Sequence, residues 1–493
     1  MDRQDVRTII RADSVQRNSE GAVSVQIAIF TGEASGDRVG AQLATEIKRL
    51  RPDAQIWGTG GYFLRTAGVE VVVDSSRFGV VGIAAALKLL PKILRGRKFL
   101  HREMLRRKPD LLIAVDAGAF NLGFGPIVGL CPWTRKHLPK TKILYYFPPA
   151  SWRRTLKSTT LNIDADAVAT PFPWSETELQ RLGANAKFVG HPLLDLVHPS
   201  LSTAAFAEKY GLDKNKPVVG LLPGSRAQEI AEILPLQLEA AAIIHKRVPS
   251  VQFVVALAPT VDRQDVVRTV ERLRARSGPH LTDLLHNLEE RLLGDGITRG
   301  SQAQRLSPIA VTPEGAHVPR KSAPDDFASR TRAQLVEAEK QRGDGKDFAL
   351  VIVENATYDT MAASDVLLTA SGTATLEAAI LGKPMVILYR LSKDNWLEYQ
   401  VVKNRLPVHI GLPNLLAGKR ICPELVQDAA TPEALAAEVI GLLLEPERLL
   451  RMKEDLRAAV SQLGKSGGAT RAAQMAIDLV SGGGERSPGT SSS

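Results

Sequence analysis

The sequence contains little cysteine and no long apolar run. Only two of its 493 residues are cysteine, Cys131 and Cys422, which excludes a disulfide scaffold and a cysteine-built metal site. No stretch reaches the roughly 18 consecutive apolar residues that a membrane-spanning helix requires. Residues 1–24 are polar and lack the apolar centre of a signal peptide. We therefore expect a cytoplasmic protein that is soluble or peripheral to a membrane.

Signals for metals, cofactors and nucleic acid are also missing. The nine histidines are scattered and form no His-Glu-x-x-His motif, so the sequence predicts neither a metal nor a cofactor. Aromatic residues make up 5% of the chain and no familiar nucleic-acid-binding module is visible, which argues against nucleic acid. The formal net charge of +10 is therefore better matched by a membrane surface or a phosphorylated substrate.

Short apolar strands alternate with longer helical stretches along most of the chain, with strands predicted at Val25 to Phe30, Val218 to Leu222 and Gln252 to Leu257 among others. This alternation is typical of a parallel sheet covered by helices on both faces. It occurs twice, which predicts two doubly wound α/β domains that face each other across a central ligand-binding cleft. We place them at residues 25–200 and 201–480, the second with a loop-like insertion at about 278–346. Residues 1–24 and 481–493 are expected to be a polar tail and a disordered tail.

A glycine-rich turn follows the first predicted strand, with the sequence Gly32-Glu33-Ala34-Ser35-Gly36-Asp37. Gly32 and Gly36 allow a tight turn and a close backbone approach to a ligand at the start of a helix, where Ser35 would also lie. Glu33 favours a functional role, because an acid between two turn glycines has little to pack against. The alternative is an ordinary turn in which Ser35 or Asp37 caps the helix.

Two similar turns follow strands of the second domain. Gly224, Ser225 and Arg226 combine backbone donors, a hydroxyl and a guanidinium, a set that suits a diphosphate. Alternatively, Arg226 pairs with Glu229 or Glu232 on the next helical turns. The third turn comprises Ser371, Gly372 and Thr373, with Glu377 one helical turn inside. Its small residues would let a pyrophosphate approach a helix start, with Glu377 on a ribose hydroxyl; a plain helix cap is the other interpretation.

Asp116 and His191 are the remaining candidate side chains. Asp116 ends a predicted buried strand, so it lies at the carboxyl edge of the sheet, where a carboxylate can remove a proton from an attacking hydroxyl. A loop aspartate that acts as a cap is the alternative. His191 precedes Pro192 and is either a phosphate or sugar contact or a hinge residue packed beneath that proline.

Residues 78–108 combine apolar and basic side chains. Such a helix can lie in an anionic membrane interface, with its apolar face among acyl chains and its charges at the head groups. A core helix followed by a solvated basic helix explains the same pattern.

Taken together, these motifs resemble the lipid-A-disaccharide synthase family, and the similarity extends over residues 25–480 apart from the insertion. The resemblance rests on collinear motifs: the turn at residues 32–37, Lys108 to Asp110 with Asp116-Ala117 and Phe120-Asn121, Phe188 to Pro192, Leu221 to Arg226, Ala370 to Glu377, and Leu412 to Gly418. It departs at Ala119, where the family has a second acid, and at residues 148–154. The family implies an inverting, metal-independent GT-B glycosyltransferase with two Rossmann-like domains.

The resemblance also implies substrates and roles. The reaction would transfer diacylglucosamine from its UDP conjugate to the 6-hydroxyl of diacylglucosamine 1-phosphate. Asp116 would be the general base, with Glu33 and Asn121 on the acceptor side. The turns of the second domain would hold UDP, and Asn414 and His191, which lie in further family motifs, would bind substrate. The protein would work as a peripheral protein on the cytoplasmic face of the inner membrane, and the family favours a homodimer.

Two other hypotheses fit the sequence. Another GT-B enzyme that uses a UDP-sugar, such as a peptidoglycan-type transferase or an epimerase, would keep the turns of the second domain but not necessarily Asp116. A non-catalytic paralogue that binds a glycolipid would be compatible with Ala119.

Overall fold

The chain forms two compact units in a computed structural model. The first unit comprises residues 1–196 and 462–493, and the second comprises residues 197–461. The boundary at residue 196 lies inside the stretch 190–216 that its prolines and polar turns mark as a linker. The structure describes residues 24–32, 34–75, 83–124, 127–275, 298–299, 349–391 and 408–482.

The first unit is built on a seven-stranded parallel sheet with the order β3-β2-β1-β4-β7-β8-β9. A two-stranded antiparallel hairpin, β5-β6, follows β4. The strands are β1 Gln26–Thr31, β2 Gln55–Gly60, β3 Glu70–Asp74, β4 Leu111–Val115, β5 Gly123–Phe124, β6 Ile127–Val128, β7 Lys142–Tyr146, β8 Ala167–Thr170 and β9 Ala186–Phe188.

Helices cover both faces of this sheet. Alternate residues of β1 enter separate cores: Ile27 and Ile29 lie in one, Ala28 and Phe30 in the other. Burial on both sides explains why the strand is apolar throughout. The helices along this part of the chain are α1 Ala34–Leu50, α2 Tyr62–Thr66, α3 Ile83–Arg107, α4 Gly118–Asn121, α5 Leu130–His137, α6 Leu161–Asp164, α7 Pro173–Arg181 and α8 Leu193–Leu196.

The second unit repeats the design with a parallel sheet in the order β12-β13-β11-β10-β14-β15-β16. Its strands are β10 Val218–Leu222, β11 Gln252–Leu257, β12 Thr298–Arg299, β13 Leu350–Glu354, β14 Val366–Ala370, β15 Met385–Tyr389 and β16 Glu424–Val426. Its helices are α9 Thr203–Tyr210, α10 Ala227–Arg247, α11 Arg263–Arg274, α12 Thr357–Ala363, α13 Thr373–Ile380, α14 Leu412–Ala417, α15 Pro432–Leu444 and α16 Pro446–Ser461, with a 3₁₀ turn at Gln427–Ala429. Both units are therefore doubly wound, Rossmann-like domains.

The last helix, α17 Gly468–Val480, corrects the predicted domain limits. The sequence pattern assigns residues up to 480 to the second domain, whereas α17 packs on α1 and contributes Ala472, Ala473 and Ala476 to the core of the first unit. The small alanines allow the two helices to approach closely. Local periodicity could not predict that α17 packs against the first unit. An amphipathic pattern shows that a helix has a buried face, but it does not show which sheet covers that face.

Polar contacts fix the start of α17. The carboxylate of Asp195 accepts hydrogen bonds from the backbone N–H groups of Gly467 and Gly468, at 2.8–2.9 Å and 3.2 Å. Arg471 donates to the carbonyl oxygen of Val189 at 2.8 Å. Asp195 therefore satisfies helix-start donors that the protein would otherwise leave unpaired.

Several predicted segments fall outside the described residues. They are nearly all of both terminal tails and of the insertion, apart from β12. None of the helices in the described part of the chain combines the length and apolar character needed to cross a membrane.

Replacing Asp195 with alanine should destabilise the first unit by about 1–2 kcal/mol, because a helix start loses its acceptor. Urea unfolding followed by tryptophan fluorescence measures this, since four of the five tryptophans, at positions 57, 133, 152 and 174, lie in the first unit. Asp478→Ala, an exposed position near the other end of α17, is the control and should change the free energy of unfolding by less than about 0.5 kcal/mol. Equal effects of the two substitutions would contradict the proposed cap.

Candidate functional site

The candidate site of the first unit lies where its sheet changes direction. β1 and β4 are neighbours, but the chain proceeds from β1 toward β2 and from β4 toward β7. At such a switch point the connections leave in opposite directions and open a crevice at the carboxyl ends of the strands. Gly32 directly follows β1 and Asp116 directly follows β4. The fold therefore brings these two sequence-predicted residues to the same edge.

Asp116 and Ala117 form an unusual turn at the end of β4. Both have left-handed backbone conformations, with φ of 46° and 43°, which residues other than glycine adopt at a cost of about 1–2 kcal/mol each. The carbonyl oxygen of Asp116 accepts hydrogen bonds from the Tyr145 hydroxyl at 2.5 Å and from Asn121 Nδ2 at 2.9 Å. Its N–H donates to the carbonyl oxygen of Tyr146 at 3.0 Å. The main chain of Asp116 is thus anchored on both sides while its side chain remains partly exposed.

Gly32 permits this turn by lacking a side chain. A Cβ atom at position 32 would lie 2.5 Å from the Cβ of Ala117, closer than packed carbon atoms can approach. At Gly36 the same addition would meet Thr31 Cβ at 3.5 Å, an ordinary contact. The two glycines that look equivalent in sequence therefore differ: Gly32 is required beside Ala117, and Gly36 is a buried position in α1.

The rest of the glycine-rich turn is only partly described. Glu33 and the side chain of Ser35 lie outside the described residues, so their predicted roles stay predictions. Asp37 binds the start of the neighbouring helix α2 rather than capping α1. Its carboxylate accepts hydrogen bonds from the backbone N–H groups of Gly61, Phe63 and Leu64, at 2.7 to 3.2 Å. Asp37 therefore stabilises the start of the neighbouring helix α2.

Asn121 is placed differently from the prediction that it lines the acceptor side. Its side chain is fully buried, and Nδ2 donates to the carbonyl oxygens of Asp116 and Val115 at 2.9 and 3.4 Å. Oδ1 is also buried and has no hydrogen-bond partner among the described residues. The structure thus assigns Asn121 a supporting position behind the Asp116 turn.

His191 lies in the interior of the first unit. Its ring packs against Phe147 and Phe172, with centroids 5.1 and 5.5 Å away, and Nδ1 accepts a hydrogen bond from the N–H of Leu193 at 3.2 Å. Burial lowers the pKa of His191 to about 3, so the imidazole is neutral at pH 7. This arrangement agrees with the alternative in which His191 is a packed residue. A neutral imidazole has no positive charge to offer to a phosphate.

The second sheet has its own switch point between β10 and β14. The turn after β10 contains Gly224, Ser225 and Arg226, and Glu229 satisfies much of its hydrogen bonding. The Glu229 carboxylate accepts from the N–H groups of Ser225 and Arg226 at 2.7 and 3.2 Å, and pairs with the Arg226 guanidinium at 3.1 Å. A side chain at Gly224 would collide with Glu229. A carboxylate therefore occupies the anion-binding position of this helix start, and the side chain of Arg226 remains 41% exposed.

The turn after β14 is open by comparison. Gly372 and Thr373 are exposed, and nothing in the described structure comes within 4 Å of the place where a Cβ of Gly372 would lie. Among the described residues, no side chain caps the first turn of α13. Ser371 donates its hydroxyl to the carbonyl oxygen of Ile410 at 2.9 Å, which ties the turn to the segment before α14. This helix start leaves room for an anion.

Glu377 and Asn414 differ in what they can offer a ligand. Glu377 is buried, and its carboxylate accepts a hydrogen bond from the Tyr358 hydroxyl at 2.8 Å. Asn414 is fully buried: Oδ1 accepts from the N–H groups of Ile421 and Cys422, both at 2.8 Å, and Nδ2 donates to the carbonyl oxygen of Cys422 at 2.9 Å. The prediction that Asn414 binds substrate is therefore replaced by a structural role.

The basic element of residues 78–108 is described in part. The side chains of residues 76–94, which include the predicted apolar face, lie outside the described residues. From residue 95 onward α3 exposes Arg95, Lys98 and Arg102, which recur on one face of the helix. Beside them, His101 stacks on Trp133 of α5 at 4.0 Å, and burial with the nearby charges of Arg97 and His137 lowers the pKa of His101 to about 4.

Three supporting side chains were not identified as functional from sequence. Tyr145 and Tyr358 contact the two candidate acids, Asp116 and Glu377, and Glu229 occupies the turn of Arg226. Only Glu229 left a signal, since its spacing from Arg226 predicts an ion pair. Across the described ranges, no group of three or more His, Cys, Asp or Glu side chains is placed to hold a metal ion.

The fold and the two switch-point sites define a GT-B protein with two Rossmann-like domains. The model of the family "Lipid-A-disaccharide synthetase" matches residues 27–287 and 325–478. The chain belongs to the lipid-A-disaccharide synthase family of glycosyltransferases. The lipid-A-disaccharide synthases of Geobacter sulfurreducens and Syntrophus aciditrophicus are each 32% identical to it. The alignments cover 93% and 92% of this chain and 98% and 97% of those proteins.

Solved structures show the same fold at low sequence identity. One is described as a UDP-N-acetylglucosamine 2-epimerase of Listeria monocytogenes; it is 11% identical, with a TM-score of 0.52 over 94% of this chain and 98% of that one. Another is MnaA of S. aureus with UDP, at 10% identity and a TM-score of 0.50 over 93% and 97% of the two chains. At these identities the likeness concerns the fold alone.

Acidification should destabilise the first unit through His191. The folded imidazole stays neutral down to about pH 3, whereas the unfolded one takes up a proton near pH 6.5. Protons therefore favour the unfolded chain below pH 6.5, and we expect this residue alone to lower the free energy of unfolding by about 2 kcal/mol between pH 7 and pH 5.

Urea unfolding of His191→Gln at the two pH values should show a pH dependence reduced by that amount. His198→Gln, at an exposed position, is the matched control and should unfold with the wild-type pH dependence. Identical pH dependence in wild type and His191→Gln would contradict the buried neutral state.

Proposed function

We propose that this protein transfers 2,3-diacylglucosamine from its UDP conjugate to the 6-hydroxyl of 2,3-diacylglucosamine 1-phosphate. The products are the β-1,6-linked disaccharide 1-phosphate and UDP. The observation that carries the proposal is the placement of Asp116 at the switch point of the first sheet. Gly32 leaves space for its turn, and hydrogen bonds from the buried Tyr145 and Asn121 stabilise that turn. Family membership supplies the substrate class.

In the proposed step, the oxygen of the acceptor 6-hydroxyl attacks C1 of the donor sugar, and Asp116 takes the proton of that hydroxyl. The bond between C1 and the UDP oxygen breaks on the opposite side, which inverts the configuration at C1. A carboxylate suits this role because it can accept a proton, and Asp116 is partly exposed at the carboxyl end of β4. The nearby Asn121 and Tyr145 bind its main chain and leave the carboxylate itself available for orientation by other contacts.

The second unit is proposed to bind UDP. The diphosphate is assigned to the open start of α13 at Gly372 and Thr373, because the corresponding amides at Ser225 and Arg226 already bind Glu229. The half-exposed Arg226 would then contribute its guanidinium to the leaving diphosphate. Backbone dipoles and one arginine can stabilise this charge without a metal ion. Glu377, held by Tyr358, is the proposed partner of the ribose.

The exposed cations of α3 support peripheral binding to an anionic membrane. Arg95, Lys98 and Arg102 lie on one face, and α5 adds the exposed Lys136 next to the stacked rings of Trp133 and His137. Basic residues near an anionic lipid surface each contribute about 1 kcal/mol to binding. Such a surface would bring the active site to the substrates' own membrane.

Asp116→Asn should reduce kcat about 10²- to 10⁴-fold, because the amide cannot accept the proton of the attacking hydroxyl. The assay follows release of UDP and formation of the disaccharide from the two diacylated substrates. The rate should be the same with and without EDTA. Consumption of the UDP-sugar without the lipid acceptor would indicate an epimerase-like reaction instead.

Asp110→Asn is the matched control for this substitution. Asp110 precedes β4, whereas Asp116 follows it, so the two acids lie at opposite ends of the same strand. Asp110 is exposed and accepts a hydrogen bond from the N–H of Gln26 at 2.8 Å, which the asparagine oxygen can preserve. Wild-type rates in Asp110→Asn are expected. Full activity in Asp116→Asn would refute the assignment of the base.

Exchanging Lys98 and Arg102 for glutamine should weaken binding to vesicles that contain anionic phospholipid by about thirtyfold, the equivalent of two charges. Co-sedimentation at low and high salt measures this, and salt should weaken the wild type more than the variant. Lys214→Gln with Lys216→Gln removes two exposed cations from the second unit as a control. Unchanged binding of the α3 variant would exclude this surface.

A further inference from the structure

The carbonyl oxygen of Asp116 is the point at which two side chains from different elements meet. Asn121 reaches it from α4, within the same loop, and Tyr145 reaches it from the adjacent strand β7. The Tyr145 bond is the shorter of the two, at 2.5 Å against 2.9 Å. A carbonyl oxygen has two lone pairs, so these two donors complete its hydrogen bonding.

The sheet makes room for the Tyr145 phenol. Phe30, Ala114 and Tyr145 are paired in one row across β1, β4 and β7. The central residue of the row is the smallest, and all three belong to the same core. Because the side chain of Ala114 is short, the ring of Tyr145 can extend over Ala114 and reach Asp116, the residue that follows β4. The ring is fully buried, so a single rotamer is held by packing.

This hydrogen bond acts at a strained part of the backbone. Asp116 and Ala117 are consecutive non-glycine residues with positive φ, and strained conformations persist only where the surroundings over-determine them. Burial is the largest of the factors that raise the pKa of Tyr145 well above its ordinary value, so the hydroxyl keeps its proton and remains a donor. The bond therefore persists throughout the pH range in which a carboxylate base works.

We propose that Tyr145 is a positioning residue, which holds the left-handed turn of Asp116 and thereby aims its carboxylate at the acceptor hydroxyl. Tyr145 itself takes no part in proton transfer. The inference rests on the proposed function of Asp116 as the base. It predicts that loss of this one buried hydroxyl slows the chemical step without changing the binding of the UDP-sugar.

Tyr145→Phe removes only this hydroxyl from the full-length protein. We expect kcat to fall about 10- to 100-fold, because small displacements of a catalytic group cost rates of this order. The KM for the UDP-sugar should stay at the wild-type value. Hydrogen exchange should become faster at the amides of Phe120, Asn121 and Leu122, which bond to the carbonyl oxygens of Ala117 and Gly118 in the same turn.

The chain offers a matched control in the next residue. Tyr146 is also fully buried, but its hydroxyl has no hydrogen-bond partner among the described residues, and its ring belongs to the opposite core of the sheet. Tyr146→Phe therefore deletes the same atom from the same strand and keeps the Tyr146 carbonyl oxygen, which accepts the hydrogen bond from the N–H of Asp116. Its kcat and the exchange of residues 120–122 should match the wild type.

A double substitution separates positioning from a general loss of structure. In the Asp116→Asn background, Tyr145→Phe should cause no further loss of the residual single-turnover rate, because its effect passes through the carboxylate that is already gone. Equal losses in both backgrounds, or equal losses from Tyr145→Phe and Tyr146→Phe, would overturn the inference. So would wild-type kcat and exchange in Tyr145→Phe.

The two proposals fail in different ways. If Asp116→Asn is fully active, the assignment of the base is wrong and the positioning role falls with it. If Asp116→Asn is inactive while Tyr145→Phe behaves as wild type, the base stands and only the role of Tyr145 is rejected.

Discussion

A parallel sheet with helices on both faces must reverse its direction of winding somewhere, and both sites of this protein depend on that constraint. Between β1 and β4, and again between β10 and β14, the connecting segments leave on opposite sides of the sheet. Helices cannot cover the strand ends there, so polar loops lie at an edge that remains accessible. Gly32 and Asp116 meet at the first edge, and the turns of Gly224 and Ser371 follow the adjacent strands of the second.

The two turns of the second unit show how one local motif acquires different chemistry. Each places the start of a helix after a buried strand. At the first, Glu229 folds back onto the N–H groups of Ser225 and Arg226. At the second, α13 begins with exposed residues, and no side chain in the described part of the chain caps it. A helix start binds whichever anion is nearest, and an intramolecular carboxylate competes with any ligand at very high effective concentration.

Much of the fold follows from local pattern. The runs from Val218 to Leu222 and from Gln252 to Leu257 are strands as predicted, because a strand buried on both faces must be apolar throughout. The short edge strands β3, β9 and β16 did not stand out, since edge strands are short and only partly buried. The placement of α17 on the first unit was also missed, because only a contact between distant segments identifies it.

What the sequence by itself determined is the repeated strand-and-helix pattern, the three small-residue turns and the acid after β4, because these depend on residues that are neighbours along the chain. Tertiary structure decided which of them a ligand can reach. Asn121 and Asn414 look like binding residues in sequence but serve buried backbone groups, whereas Gly372 remains open. A polar side chain forms hydrogen bonds with the nearest partner in space. Which group is that partner is decided only when folding brings the strands together.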